Sequence, residues 1–244
     1  TSLQTLELQD ISCNGLLAAV AEGMASNSSI RTLNLNSPYN YEASASCPAG
    51  SGVVLAQILA TNSHLTALNI SGCHQLEAKD YLDLFRSLKD NCTLEDLDAT
   101  RFGGKDYLQI GAEAIDMLAA NRSLKAIGLP WGALTPEAFE ALGKLLHMHP
   151  TLARIDLGTV MNDGSLACAL GDALTHGTRI TTIVIDCIAR DEEHSDPDHP
   201  LGHKERIATV FEAIAQCPGL KSVHIANLLH VDCLLELLRA NPGI

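Results

Sequence analysis

The chain has 244 residues, of which 46% are hydrophobic and only 18% are charged, so it is too apolar to remain disordered. Its 29 acidic and 16 basic residues leave a formal net charge of −13, which argues against a nucleic acid or an anionic membrane as partner. No apolar run approaches the roughly 20 residues of a membrane-spanning helix, and aromatic residues make up only 4% of the chain, so aliphatic side chains must fill the core.

The main signal along the chain is an internal repeat. An aliphatic residue, two variable positions, a second aliphatic residue, one variable position and a third aliphatic residue recur eight times. In chain order the triplets are Leu3-Leu6-Leu8, Ile30-Leu33-Leu35, Leu65-Leu68-Ile70, Leu94-Leu97-Ala99, Leu124-Ile127-Leu129, Leu152-Ile155-Leu157, Ile180-Ile183-Ile185 and Leu220-Val223-Ile225. Their first positions are 27, 35, 29, 30, 28, 28 and 40 residues apart, which indicates eight similar units, two of them lengthened by insertions.

Each unit is predicted to form a short strand and then a helix. The second and third aliphatic residues are two positions apart, so they face one side of a strand. In the fifth unit the period then becomes helical. The apolar positions there are Ala138, Phe139, Leu142, Leu145 and Leu146. Thr135 suits the N-cap of this helix and Pro136 suits its first turn, so we predict that the helix begins at this point.

A second regularity lies three residues before each first aliphatic residue. This position holds Asn27, Asn62, Asn91, Asn121, His149, Gly177, Cys217 and Asn241. Because Asn and Gly tolerate left-handed backbone, we expect the helix of one unit to stop there and the chain to turn back. Counting from Asn241 places the next strand start at Ile244, so we expect the parent protein to continue with a further repeat or a cap.

These repeats resemble the leucine-rich repeat proteins of the ribonuclease-inhibitor-like class, whose units are about 28 residues long. The resemblance implies an α/β leucine-rich repeat solenoid, or horseshoe, of about eight repeats, with a concave parallel sheet and convex helices. It also implies one repeat domain over residues 1–244, part of a longer array, with insertions near 37–52 and 190–206. The family usually places Asn or Cys three positions after the third aliphatic residue. Only Cys73 fits here, so we expect the family's buried polar ladder to be largely missing.

Motifs for catalysis and for metal or cofactor binding are weak. The sequence lacks His-Glu-x-x-His, Gly-x-Ser-x-Gly and a complete phosphate-binding loop, so we expect no enzyme activity and no cofactor in this segment. The 190–206 insertion is rich in Asp, Glu and His, but their spacing matches no metal signature, and we expect a solvated acidic loop rather than a metal site. The eight cysteines include no Cys-x-x-Cys pair, and we interpret them as buried thiols of a cytoplasmic protein.

Stacked parallel strands align their outward positions into columns on the concave face. The columns are polar, with several carboxylates, one Arg, and a Trp and a second Arg at the strand ends. The candidate partner-binding residues are Asp96, Asp98, Arg101, Trp131, Arg154, Asp156 and Asp186. We predict that a monomeric chain binds another protein here, through a basic patch on that partner. A merely solvated face and partner binding by the two insertions are the alternatives.

Two functional classes fit this interpretation. The first is the target-binding segment of a larger protein, as in bacterial effectors that act in the host cytoplasm and carry a separate enzyme such as a ubiquitin ligase. The second is a regulatory leucine-rich repeat protein of the eukaryotic cytosol, for example one that activates a GTPase. That second function would require Arg101 or an Asn of the columns to reach a nucleotide, and a single-turnover GTPase assay separates the two.

Overall fold

The structure is a computed structural model, which describes residues 2–8, 14–36, 47, 49–73, 75–100, 109–130, 134–159, 179–186, 208, 210–212, 214–217, 219–226, 234–235 and 238–239. The insertion at 190–206 and most of the insertion near 37–52 lie outside these residues, as do Arg101, Trp131 and the chain end at 240–244. Ser51 and Gly52, the last two residues of the predicted first insertion, are the first two residues of a helix.

Eight parallel strands form one sheet within the described residues, in the same order as in the chain. The strands are β1 (Thr5–Glu7), β2 (Thr32–Asn34), β3 (Ala67–Asn69), β4 (Asp96–Asp98), β5 (Ala126–Gly128), β6 (Arg154–Thr159), β7 (Thr182–Asp186) and β8 (Ser222–Ala226). The second aliphatic residues of successive units pair with one another, for example Leu68 with Leu97 and Leu97 with Ile127. The predicted α/β leucine-rich repeat solenoid is therefore confirmed.

Five helices follow the first five strands. They are α1 (Asn14–Ser26), α2 (Ser51–Thr61), α3 (Ala78–Leu88), α4 (Ala112–Ala120) and α5 (Pro136–Met148). The predicted start of α5 is confirmed, because Thr135 is its N-cap and accepts a hydrogen bond from the backbone N–H of Ala138, with Pro136 at the first helical position.

The core lies between the sheet and the layer of helices. The second aliphatic side chains of the inner strands and the apolar faces of the helices are buried together there, as the alternation of strand side chains requires. At the two ends of the sheet the aliphatic side chains are only half-buried, as Leu6 and Val223 show. β1 and β8 each have one neighbouring strand among the described residues.

The Asn residues that precede the strands form a ladder, and the left-handed backbone predicted for them is wrong. Asn62, Asn121 and His149 have φ of −95°, −64° and −66° with ψ of 119°, 151° and 127°, which is extended backbone. Asn121 is fully buried. Its Oδ1 accepts from the backbone N–H of Leu124 at 2.8 Å, and its Nδ2 donates to the carbonyl of Leu88 at 2.7 Å. The side chain therefore closes its own turn and binds the end of the preceding helix.

The ladder continues on both sides of Asn121. Asn62 donates to Met24 O at 2.7 Å, and Asn91 donates to Leu59 O at 2.9 Å. In the sixth unit His149 takes the same position, with Nδ1 accepting from the backbone N–H of Leu152 at 3.1 Å. A buried polar ladder thus exists, but it precedes the strands instead of following them. Buried backbone groups need such partners wherever a helix ends.

Asp80 in the first turn of α3 connects two neighbouring units. Its carboxylate accepts from the backbone N–H of Glu77 at 2.9 Å, in a reciprocal capping box with the Glu77 side chain. It also accepts from the backbone N–H of Gly52 at 2.8 Å and of Gly50 at 3.2 Å, at the start of α2. Gly52 permits this approach, because a Cβ there would lie 2.3 Å from the Cα of Asp80. One carboxylate therefore binds the N-termini of both α2 and α3.

Four of the eight cysteines lie in the described part of the chain. Cys47, Cys73 and Cys217 are buried as predicted, whereas Cys92, in the turn before β4, is exposed. None of the helices described is both long enough and apolar enough to cross a membrane.

Candidate protein-binding site on the outer face of the sheet

The face of the sheet opposite the helices, called the outer face below, carries the predicted columns in register. Gly128 of β5 pairs with Asp98 of β4 on one side and with Asp156 of β6 on the other. One position earlier, Ala126 lies between Asp96 and Arg154. Four of the seven candidate residues are therefore brought together on two strands, with β5 between them.

The polar residues of the central column also have a structural role. Asn34, Asn69, Asp98 and Asp156 each accept, through Oδ1, the backbone N–H of the residue two positions later, at 3.1, 2.8, 3.0 and 2.9 Å. These local bonds satisfy the backbone at the end of each strand, which explains why Asn and Asp recur there. Because one oxygen is engaged, the carboxylates of Asp98 and Asp156 each keep a defined orientation.

Small residues on β5 form the floor of the site. Ala126 and Gly128 are both buried, although outward positions on the neighbouring strands are half-exposed or exposed. A Cβ at Gly128 would lie 2.8 Å from Thr100 Cγ2, 3.0 Å from Asp98 Oδ1 and 3.2 Å from Asp156 Cβ. The side chains of β4 and β6 therefore close over β5 from both sides, and only Gly leaves room for them.

The electrostatics of the site are unbalanced towards negative charge. Burial raises the pKa of Asp96, Arg154 lowers it and Asp98 raises it. Burial also raises the pKa of Asp156. The Gly158 N–H opposes that rise, as does Arg154, while Asp98 and Asp96 add to it. Arg154 Nη2 lies 3.7 Å from Asp156 Oδ2. One guanidinium therefore faces three carboxylates in a partly desolvated place, where an incoming cation would be attracted more strongly than in water.

The other three candidates have different outcomes. Asp186 lies at the end of β7, where its backbone pairs with Thr159 and Ala226, and the arrangement of its side chain is outside the described part of the structure. Arg101 and Trp131 also lie outside it. Their proposed contact with a partner stays a prediction.

Sequence reasoning did not single out Thr100, which supports the site. Its hydroxyl donates to Asp98 Oδ1 at 2.7 Å, and its methyl group packs against Gly128. Ser71 makes the same bond to Asn69 at 2.7 Å. The sequence signal is therefore Asx-x-Ser or Asx-x-Thr at a strand end, which predicts a hydroxyl that holds the preceding side chain.

Comparison with known proteins finds matches among solved structures alone. No family model matches the chain, and no curated protein matches it. Among solved structures, the actin-binding site 2 of leiomodin-1 is 21% identical over 50% of this chain and 67% of that one, with a TM-score of 0.41. The tropomodulin C-terminal domain of Caenorhabditis elegans is 15% identical over 78% and 90%, with a TM-score of 0.40. The leucine-rich repeat-containing protein LegL7 of Legionella pneumophila is 15% identical over 99% and 93%, with a TM-score of 0.37.

Proposed function

We propose that this chain is a protein-binding repeat segment, and that it holds a basic surface of its partner on the outer face over β4, β5 and β6. The observation that carries the proposal is the arrangement of Asp96, Asp98 and Asp156 around Arg154 on a floor of small residues. Burial already raises the pKa of two of these carboxylates, so their charged forms gain when a Lys or Arg side chain approaches.

The contacts are proposed to differ in their physical effect. Carboxylates at the rim of an interface mainly raise the association rate and its sensitivity to salt. The Trp131 side chain, with Arg101 in the adjacent unit, is proposed to supply the buried contact area, by analogy with aromatic and Arg anchors at other interfaces. On this proposal Trp131→Ala weakens binding of the natural partner by about 2 kcal/mol.

The proposed parent is a bacterial effector of the ribonuclease-inhibitor-like class, delivered into the host cytoplasm. Five of the seven unit spacings fall between 27 and 30 residues, and each of the first five strands is followed by a helix, which supports the class. Only seven residues are Lys and the units are rich in Ala, which supports the bacterial origin. The sequence of the parent tests this, because an attached enzyme domain would identify the pathway.

Chemical-shift mapping tests the binding face directly. A peptide of alternating Arg and Gly, titrated into the isotope-labelled chain, should shift the amide signals of 96–100 and 154–158 and leave those of α3 and α5 in place. A peptide of alternating Gln and Gly, with the same backbone and no charge, should shift neither set. If the Arg peptide instead shifts only residues of 37–52 or 190–206, the insertions are the binding site and the proposal fails.

A further inference from the structure

The side of the sheet where the strands begin has an unexpected charge pattern. The pattern involves the positions from two before to two after the first aliphatic residue of each unit. In the fifth to eighth units the described residues at these positions are 122–126, 150–154, 179–182 and 219–222, and they include no Asp or Glu. They include five cations, called the basic edge below: Arg122, Lys125, Arg154, Arg179 and Lys221.

The basic edge opposes the charge of the rest of the chain. The chain as a whole has nearly twice as many acidic as basic residues. The same positions in the second to fourth units hold one cation, Arg31, and two acids, Glu95 and Asp96. The cations at the strand starts are therefore concentrated in one half of the solenoid. The five residues of the basic edge are all exposed. A charge that serves only solubility would not need to be concentrated along one side.

The partners of these cations within the chain are weak. Lys125 pairs with Glu95 at 2.8 Å, but both side chains are about half exposed, so water screens the pair. Arg122 donates to the carbonyls of Ala119 at 3.2 Å and Asn121 at 3.4 Å. Arg179 and Lys221 form no ion pair with another described residue. These four side chains can therefore give up their present contacts to a stronger acceptor at little cost, whereas Arg154 also lies 3.7 Å from Asp156.

The geometry of the sheet sets the size of the ligand. Neighbouring parallel strands lie about 4.8 Å apart, so the basic edge extends about 14 Å from β5 to β8. An extended peptide rises about 3.3 Å per residue, so four or five residues laid across the strand starts would reach all four units. Alternating carboxylates on such a segment would point to the same side as the cations.

We propose that the basic edge binds an acidic peptide segment of a protein partner. This site goes beyond the proposed function, because four of its five cations lie outside the carboxylate site and it attracts the opposite charge. A polypeptide is favoured over a nucleic acid, because the net charge of −13 repels a dense polyanion more strongly than a short acidic segment. A partner that carries an acidic segment beside a basic one could contact the basic edge and the carboxylates of β4 and β6 together.

The test uses fluorescence anisotropy at low ionic strength with a labelled deca-glutamate peptide as the probe. The wild-type chain should bind it saturably, and the affinity should fall as salt shortens the reach of the charges. The double variant Arg179→Glu, Lys221→Glu should bind about ten-fold more weakly, because each reversed rim charge contributes about three-fold. The matched control is Lys89→Glu, Lys144→Glu, which makes the same change in net charge at exposed positions on the helix side and should change the affinity by less than about two-fold.

Four results would overturn the proposal: no saturable binding to the wild-type chain, equal binding of a deca-glutamine peptide, equal weakening in the control variant, or binding of a deoxythymidine decamer as tight as that of the peptide. The last result would assign the edge to nucleic acid instead. Thermal unfolding checks that both double variants remain folded. We expect this because only exposed side chains are altered. A negative result here does not bear on the carboxylate site, because that site is probed with a basic peptide.

Discussion

Single polar side chains in this chain hydrogen-bond to backbone groups of their own turn, of the preceding unit, or of both. The column residues Asn69 and Asp98 hold the backbone at the ends of their own strands, while Asp80 and Asn121 reach into the preceding unit. A polar residue at a repeated position is therefore first a structural requirement. The charge at such a position can differ from one unit to another, because Asn and Asp offer the same Oδ1 acceptor.

The first prediction concerns Asp80. Replacing Asp80 with Ala removes the acceptor for three backbone N–H groups at the starts of α2 and α3. We expect the free energy of unfolding to fall by about 3 kcal/mol, since each buried donor left without a partner costs about 1 kcal/mol or more. Urea denaturation measures this. The control is Asp83→Ala on the same helix, which loses only exposed ion pairs to Lys79 and Arg86 and should cost less than about 1 kcal/mol. Equal losses in the two variants would contradict the role of Asp80.

The second prediction concerns His149, which is 2% exposed in the ladder. Burial lowers the pKa of His149, Arg122 lowers it further, and the Asn121 backbone opposes them, although Nε2 makes no hydrogen bond of good geometry. Because the pKa in the folded state lies below the ordinary value of 6.5, the folded chain binds fewer protons than the unfolded chain. The stability from His149 is complete above about pH 6.5 and is lost as the pH falls through that value.

The variant His149→Asn separates this effect from the other titrating groups. Asn fills the same position in other units, so the variant should fold, and its stability should fall less than that of wild type between about pH 7 and about pH 5. The raised pKa values of Asp96 and Asp156 have the opposite sign, since protonating them favours the folded chain as the pH falls. They are present in both proteins and cancel in the comparison. Parallel curves of urea midpoint against pH would show that His149 does not titrate as proposed.

At the scale of the element, the strands and helices are held in place by links between neighbouring units. Each inner strand pairs with the strand of the preceding and of the following unit. The Asn ladder adds a second link at the point where one helix ends and the next strand begins. Stability in such a solenoid is a sum of terms between neighbours, so a broken link affects mainly two units.

The third prediction compares two positions of the ladder. Asn121 is fully buried and its side chain donates to the preceding unit, whereas Asn27 is half-buried and the described bonds of its side chain lie within its own turn, to Ser29 and Ile30. Asn121→Ala should therefore lower the free energy of unfolding by about 3 kcal/mol and Asn27→Ala by about 1 kcal/mol. Calorimetric unfolding of the two variants measures the difference. If Asn27→Ala proves the more destabilising, the links between units are not the main contribution of the ladder.

Most of the fold could be predicted from the sequence, because each unit carries the aliphatic triplet that marks its own strand. The middle aliphatic residue of all eight triplets lies inside a strand, as at Leu97 and Ile183. The conformation of Asn62 and Asn121 was predicted wrongly, since the carbonyls that their side chains bind lie more than thirty residues earlier. The local backbone preference of a residue gives no information about a contact so distant in the sequence. The bond from Asp80 to Gly52 was missed for the same reason.

The position of the candidate site could be predicted from the sequence, but its electrostatics could not. Equal spacing of the units was enough to place Asp98 and Asp156 in one column, on either side of Gly128. The desolvation that raises the pKa of Asp156 depends on how side chains of β4 and β6 close over β5, which no spacing reveals.

At the scale of the whole molecule, the repeat array presents two surfaces of opposite charge. The carboxylates of β4 and β6 lie on the outer face, and the basic edge follows the strand starts of the fifth to eighth units, with Arg154 belonging to both. Units stacked in a row place such residues along a line without any further adjustment of the backbone. A repeat segment therefore gains a long, directional binding surface from small changes in each unit.

The measurement that tests the central claim most directly is the affinity of the Arg-Gly peptide for wild type and for Asp98→Asn, Asp156→Asn. Asn keeps the Oδ1 acceptor for the backbone N–H groups of Thr100 and Gly158, so the fold should stay the same while two charges are removed. We expect the variant to bind about ten-fold more weakly, with a flatter dependence on salt. The control Asp116→Asn, Glu140→Gln, at exposed positions of α4 and α5, should bind as wild type does. Equal affinity of wild type and the Asp98, Asp156 variant would contradict the account.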